Sequence, residues 1–339
     1  MIQATQLVKT FGAVKALDGL SFKVGDGLAY GLLGRNGAGK TTTIRIMMDF
    51  FGADSGEVTI GGVPASKSKA RIGYLPEERG LYPKRVILEQ MVYIGMLRGM
   101  SKRDAEARTH MLLEKLEASE YTKRRLDTLS KGNQQKIQLA IALISDPDVV
   151  ILDEPFSGLD PVNARILKSI VREQVDAGKT VIFSSHQMAQ VEEFCDEICL
   201  IDHGRGVLEG NLREIKRGYP RDSLYVEAYG AGDLGRLLRE KAPDAIVSIE
   251  PSGAGWTARL TSHEKRSAVL DTLHAAGITP DNFSVKEPTL EEIFVDKVGG
   301  EPPGAEDGAD DGGKKKRKRF GLFGKKSGDA GGANGGAGR

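Results

Sequence analysis

The sequence is 339 residues long, enough for about two domains at ~150 residues each. Its 48 Lys and Arg offset 47 Asp and Glu, so no whole-molecule field draws it to nucleic acid and any charge signal must be local. The two cysteines, Cys195 and Cys199, form no disulfide framework. With no signal-peptide start and no run near ~18 uninterrupted apolar residues, we expect a cytosolic chain that does not itself span a bilayer.

In chain order, short β-branched runs alternate with helical patterns through residues 1–217, which argues for an α/β domain. "AYGLLG" (29–34) reads as a strand feeding a Gly-rich loop, and "TTTIRIMMDF" (41–50) as the helix leaving it. "MVYIGMLRGM" (91–100) is interrupted by Gly95, Arg98 and Gly99, which rules it out as a span. "SKRDAEARTHMLLEKLE" (101–117) opens with Ser101 and Asp104 at capping-box spacing and reads as a helix. "NQQKIQLAIALIS" (133–145) is helical and largely buried. "DVVILDEP" (148–155) is a continuous apolar strand ending in carboxylates, and "TVIFSSH" (180–186) is another buried strand. "ICLIDHGRGVLEG" (198–210) reads as a hairpin around Gly204 to Gly206.

After Gly218 the rhythm becomes strand, helix, strand, strand, helix, strand, the split-βαβ order of ferredoxin-like folds, over residues 218–298. That stretch closes with "PTLEEIFVDKVGG", a short helix whose Pro288 suits its first turn. Residues 299–339 are Gly-rich, acidic and then basic ("KKKRKRFGLFGKK"). They cannot bury enough apolar surface to offset ordering entropy, so we expect a disordered tail. Its basic run is either a contact for anionic lipid, with Phe320, Leu322 and Phe323 dipping in, or a solvated segment.

The chemistry starts at "GRNGAGKT" (34–41), which fits G-x-x-x-x-G-K-[ST] between a predicted strand and a predicted helix. Gly34, Gly37 and Gly39 let the backbone curl so that N–H groups along Arg35, Asn36 and Ala38 turn inward to phosphate oxygens. Lys40 reaches the β and γ phosphates, Thr41 offers a hydroxyl to Mg²⁺, and Thr42 lies in the helix start whose dipole favours an anion. The "DE" at 153–154 supplies Asp153 to hold Mg²⁺ and Glu154 to polarise the attacking water. A second anion-holding helix start lies in "LSKGNQQ" (129–135), at Ser130 and Gly132.

The ordered set "GRNGAGKT", "LSKGNQQ", "VVILDEP", "SGLD", "SSH" resembles the nucleotide-binding subunit of an ABC transporter across residues 1–217. "IGYLPEERGLYP" and "EPTLEEIF" are similar to a subgroup associated with sodium export, drug resistance or regulatory export, extending the match to residue 298. The resemblance implies a P-loop NTPase domain with a small α+β ferredoxin-like domain, and Mg²⁺-dependent ATP hydrolysis. It also implies head-to-tail dimerisation, in which Ser130, Gly132 and Asn133 of one copy cover ATP on residues 34–41 of the other. The second copy is identical or homologous. Separate membrane-spanning permease subunits are the further partners, and the chain would sit peripherally on the cytoplasmic face, powering export. Carried over residue by residue, Phe11 stacks on adenine, Asp160 crosses the dimer interface, and His186 is the switch histidine at the γ phosphate. The rivals are a soluble ATPase switch on a ribosome or nucleic acid, and a regulatory nucleotide sensor; one motif set and no inserted arm weigh against the first.

Three departures matter. Arg35 stands where the family often has Pro and adds charge toward phosphate; Lys131 and Asn133 replace the more frequent Gly and Gln of the signature. Glu77 stands at the usual Gln, where a carboxylate can also ligate Mg²⁺. Its charge beside Glu154 and the phosphates should disfavour ionisation of one of the two carboxylates. Cys195 and Cys199 are expected to pack in the core, two thiols being too few for a zinc site.

Overall fold

The apolar runs of the first 217 residues build one central sheet because they can be buried on both faces. The computed structural model describes residues 1–78 and 80–298. Arg79 and the tail from residue 299, with its basic run and the lipid contact expected there, lie outside the described residues.

The chain opens with β1 (Ile2–Phe11) and β2 (Val14–Val24), then β3 (Ala29–Leu33), which ends at the Gly-rich loop, and α1 (Lys40–Met47), which leaves it. After β4 (Ser55–Ile60), β5 (Val63–Pro64) and β6 (Ile72–Leu75) come α2 (Ile87–Leu97), α3 (Lys102–Lys115) and α4 (Lys131–Leu143). β7 (Val149–Asp153), α5 (Pro161–Asp176), β8 (Thr180–Ser185), α6 (Met188–Phe194), β9 (Glu197–Asp202), β10 (Arg205–Asn211) and α7 (Leu212–Arg217) follow.

Six strands pair in the order β10-β9-β3-β8-β7-β6, all parallel except β10. Successive side chains alternate between two cores. In β7, Val150 and Leu152 face the core with α3 to α6, whereas Val149 and Ile151 face the core with α1 and the opening strands. In β9, Ile198 and Leu200 alternate likewise with Cys199 and Ile201. The β9–β10 hairpin turns on His203 and Gly204, at φ 45° and 76°, the paired positive angles of a two-residue type I′ turn. Strands β2-β1-β4-β5 form a separate antiparallel sheet covering the second core. The alternating α/β rhythm did not predict this sheet, because its β1–β4 pairing spans some fifty residues and leaves no local signal.

Helix boundaries follow their caps. Ser101 Oγ accepts from Asp104 N at 3.1 Å, as its spacing predicts, and Ser130 caps α4, which starts at Lys131, two residues before the predicted run. Both cysteines are buried and free, Cys195 closing α6 and Cys199 inside β9. Burial pushes the Cys199 thiol up to about 12 and Cys195 in the same direction.

From residue 223 come β11 (Ser223–Glu227), α8 (Leu234–Lys241), β12 (Ile246–Ser252), β13 (Gly255–Leu260), α9 (Arg266–Ala275), β14 (Asn282–Lys286) and α10 (Leu290–Val298). The sheet order β12-β13-β11-β14, all antiparallel, is the ferredoxin-like arrangement that the element order implies. It has its own core of Leu224, Val226, Leu234, Leu238, Leu260 and Leu273 among others. Helix α10 does not join that core: Leu290, Ile293 and Phe294 are buried in the core of the first 217 residues. Its start is a capping box between Thr289 and Glu292, so Pro288 precedes the cap and does not lie in the first turn. No helix among the described residues is long and apolar enough to cross a membrane.

Candidate active site

The Gly-rich loop joins β3 to α1 at the carboxyl ends of the parallel strands, where α/β sheets bind ligands. Gly39 caps α1 at φ 112°, and a Cβ there would come 2.8 Å from the Ala16 carbonyl oxygen, so only glycine lets the loop close on β2. Lys40 is buried with Nζ donating to the carbonyls of Gly34 at 2.8 Å and Arg35 at 3.3 Å, and lies 3.5 Å from Glu154 Oε1.

The ends of β7 and β8 bring in the carboxylates. Ser184 Oγ donates to Asp153 Oδ1 at 2.5 Å and accepts from Glu154 N at 3.1 Å, locking the strand end. Thr41 Oγ1 donates to the same Asp153 oxygen at 3.4 Å. Glu154 sits at φ 49°, a strained value for a non-glycine residue that turns its side chain back to the loop. His186 Nδ1 lies 3.0 Å from Glu154 Oε1. Asp153, Glu154, Lys40 and His186 are each less than a tenth exposed.

Asp153 Oδ2 is buried without a hydrogen-bond partner, which in a native site calls for an ion or water. Among the described residues no cluster of three or more His, Cys, Asp or Glu could hold a metal. The Thr41 hydroxyl and the Asp153 carboxylate are hard oxygen donors, too few for a protein cage but suited to Mg²⁺, which keeps several waters and phosphate ligands. The residues therefore fit the metal.

An open cleft of about 230 Å³ is lined by Ala16, Asn36, Gly37, Gly39, Lys40, Thr41, Thr42, Glu77 and Glu154. Partial desolvation, then the charges of Asp153 and Glu154, push the Glu77 carboxyl above the usual carboxylate range, the direction expected from its sequence position. Arg35 and Ala38 are in the loop but do not line the cleft. The Arg35 guanidinium carbon stands 5.3 Å from the Phe294 ring centroid.

The other predicted residues lie outside this cleft. Phe11 ends β1 half-exposed, edge-on to Phe51 with centroids 5.6 Å apart and Lys9 Nζ 5.6 Å from its ring. Ser130 caps α4 by accepting from Asn133 N at 3.4 Å, and Asn133 Nδ2 donates to the Tyr121 hydroxyl at 2.9 Å. A Cβ on Gly132 would strike Asn163 Nδ2 at 2.6 Å. Asp160 caps α5, accepting from Val162 N at 3.1 Å and Asn163 N at 3.0 Å. Sequence reasoning missed Ser184, although "SSH" carried it: it is a hydroxyl near the end of the strand that leads to His186. It also missed Phe294, which nothing local could reveal.

Comparison with known proteins agrees with this geometry. Residues 17–157 match the family described as ABC transporter, and residues 210–298 match the C-terminal domain of ATP-binding proteins like DrrA1-3. An uncharacterized ABC transporter ATP-binding protein, YhaQ of Bacillus subtilis strain 168, is 38% identical over 300 residues, covering 88% of this chain and 99% of its own. The daunorubicin resistance ATP-binding protein DrrA3 of Streptomyces coeruleorubidus is 31% identical, covering 86% and 93%. The Nod factor export ATP-binding protein I of Rhizobium meliloti strain 1021 is 33% identical, covering 88% of each. A solved ATP-binding subunit of an ABC transporter superposes with a TM-score of 0.60 at 29% identity, over 64% of this chain and 92% of that one. A phosphate loop, a buried carboxylate pair and a strand-end histidine thus converge on the fold these relatives share, and the chain belongs to the ATP-binding, ATP-hydrolysing subunits of ABC transporters.

Proposed function

We propose that this subunit hydrolyses MgATP between two copies, identical or homologous, and so drives export through separate membrane-spanning partners. The observation that supports this reading is the meeting of Lys40 and His186 at Glu154, two groups from distant parts of the chain around one buried carboxylate. Loop N–H groups and Lys40 bind the phosphates; Lys40 must leave the Gly34 and Arg35 carbonyls to do so. Glu154 orients the attacking water and accepts its proton, while His186, 3.0 Å away, holds the carboxylate in place. Thr41 and Asp153, with Glu77 lining the same cleft, would hold Mg²⁺, which would supply neutralisation of developing phosphate charge.

In this reading Ser130, Gly132, Asn133 and Asp160 act on the opposite copy's nucleotide, and Phe11 stacks on adenine. For Ser130, Gly132, Asn133 and Asp160, such a division of labour is consistent with their position away from the cleft of their own chain. The names of the drug-resistance and Nod-factor relatives support export. We assign the permease contact to the surface around Glu77 to Arg98, where Tyr82, Tyr93, Met96 and Leu97 are exposed beside a groove of about 430 Å³. Residues 1–217 would form the motor and 218–298 the accessory domain, on the cytoplasmic face of the membrane.

Disulfide trapping tests the shared site. Asn36→Cys and Ser130→Cys, combined in a Glu154→Gln chain, should form an intermolecular bond when MgATP is present and not without it. Asn36 serves better than Gly37, whose φ of 81° disfavours any side chain, and the two native thiols are buried. No ATP-dependent bond at saturating nucleotide would refute the dimer.

A further inference from the structure

The residues Leu290, Ile293 and Phe294 recur at i, i+3 and i+4, giving α10 one apolar stripe. That stripe is buried with Met188, Val191 and Phe194 of α6, the helix that begins two residues after His186. Polar ties reinforce the contact: Glu192 Oε1 accepts from Leu290 N at 2.9 Å and from Lys216 Nζ at 2.8 Å. Through the same stripe α10 reaches the phosphate loop, where the fully buried Phe294 ring meets the Arg35 guanidinium. Arg35 is tied into that loop, since its carbonyl accepts from Ala38 N at 3.1 Å and from Lys40 Nζ at 3.3 Å. One short helix, joined to β14 by three residues, therefore spans the gap between the loop that grips phosphate and the helix behind the switch histidine.

We propose that Phe294 is a positioning residue for the phosphate loop: through Arg35 it fixes the backbone from which Lys40 engages nucleotide, and thereby couples the C-terminal domain to the active site. The ring face attracts the guanidinium, and because the site is partly desolvated the attraction is not screened away. Binding energy passes both ways through such a contact: nucleotide that reorganises residues 34–41 must alter the hold on α10, and loosening α10 must alter nucleotide affinity by the same factor. The proposal rests on the reading of residues 34–41 as the nucleotide site. That reading has its own test, since Lys40→Ala must abolish MgADP binding whatever α10 does.

The full chain is titrated with MgADP as wild type, Phe294→Leu, Arg35→Met and the double variant, with Ile293→Val as a control on the same buried stripe. Each single variant is expected to weaken binding about three- to ten-fold, the range of a partly desolvated cation–π contact. The double variant should be no weaker than the worse single one, and the control should bind normally. Losses that multiply in the double variant, or normal affinity in both singles, would overturn the proposal. A measurement that does not use Phe294→Leu guards against its misfolding: hydrogen exchange of residues 290–298 should slow when MgADP binds to wild type and quicken in Arg35→Met. Unchanged exchange in both comparisons overturns the coupling.

Discussion

Glu154 concentrates the residue-scale argument, because its buried oxygen faces both Lys40 and His186. Replacing it with Gln keeps the volume and removes the base, so phosphate release should fall ~10²- to 10⁴-fold while ATP binding persists. Equal turnover in Glu154→Gln would assign water activation elsewhere. Glu77 yields a pH prediction with a definite sign. Its folded carboxyl titrates above the ordinary 4.5, so the folded state holds the extra proton. The stability this gives is complete below the unfolded value and is lost as pH rises through the folded one. Glu77→Gln is neutral throughout; its denaturation midpoint should match wild type near pH 4 and exceed it at pH 8. Identical midpoints at pH 8 would remove the electrostatic strain we ascribe to this carboxylate.

At the scale of elements, caps explain why the helices start where they do. Ser101→Ala should cost about 1 kcal/mol of stability by leaving the Asp104 N–H without its acceptor, with no change in KM for ATP. The exposed face of α2 gives the complementary case. Tyr93→Ala removes an aromatic from the groove without touching the cleft, so ATPase of the isolated chain should hold while co-purification with a membrane-spanning partner falls. Retained co-purification would move the docking surface away from α2. Capped helices and β-strands buried on both faces were legible because their signals are local: Ser101 to Asp104, or the run before Asp153. The β1–β4 pairing and the docking of α10 were not, since each depends on contacts between segments far apart in sequence.

For the whole molecule, a C-terminal core separate from the two cores of the central sheet predicts separable responses. Leu238 is fully buried in the core of the C-terminal sheet, and Leu238→Ala should destabilise that unit by ~2–5 kcal/mol. Hydrogen exchange should then rise in residues 223–286 while β7 and β8 keep their protection; a uniform rise would mean a single cooperative unit.

The phosphate loop, the carboxylate pair and the ferredoxin-like order could be read from sequence alone, because each is a short pattern whose backbone and chemistry are dictated by neighbouring residues. Only the tertiary structure decided that Ser184 locks Asp153 and that Phe294 lies against Arg35. Those pairs come from segments with no sequence relation, and they meet because burying apolar stripes on one sheet brings their carriers to the same end.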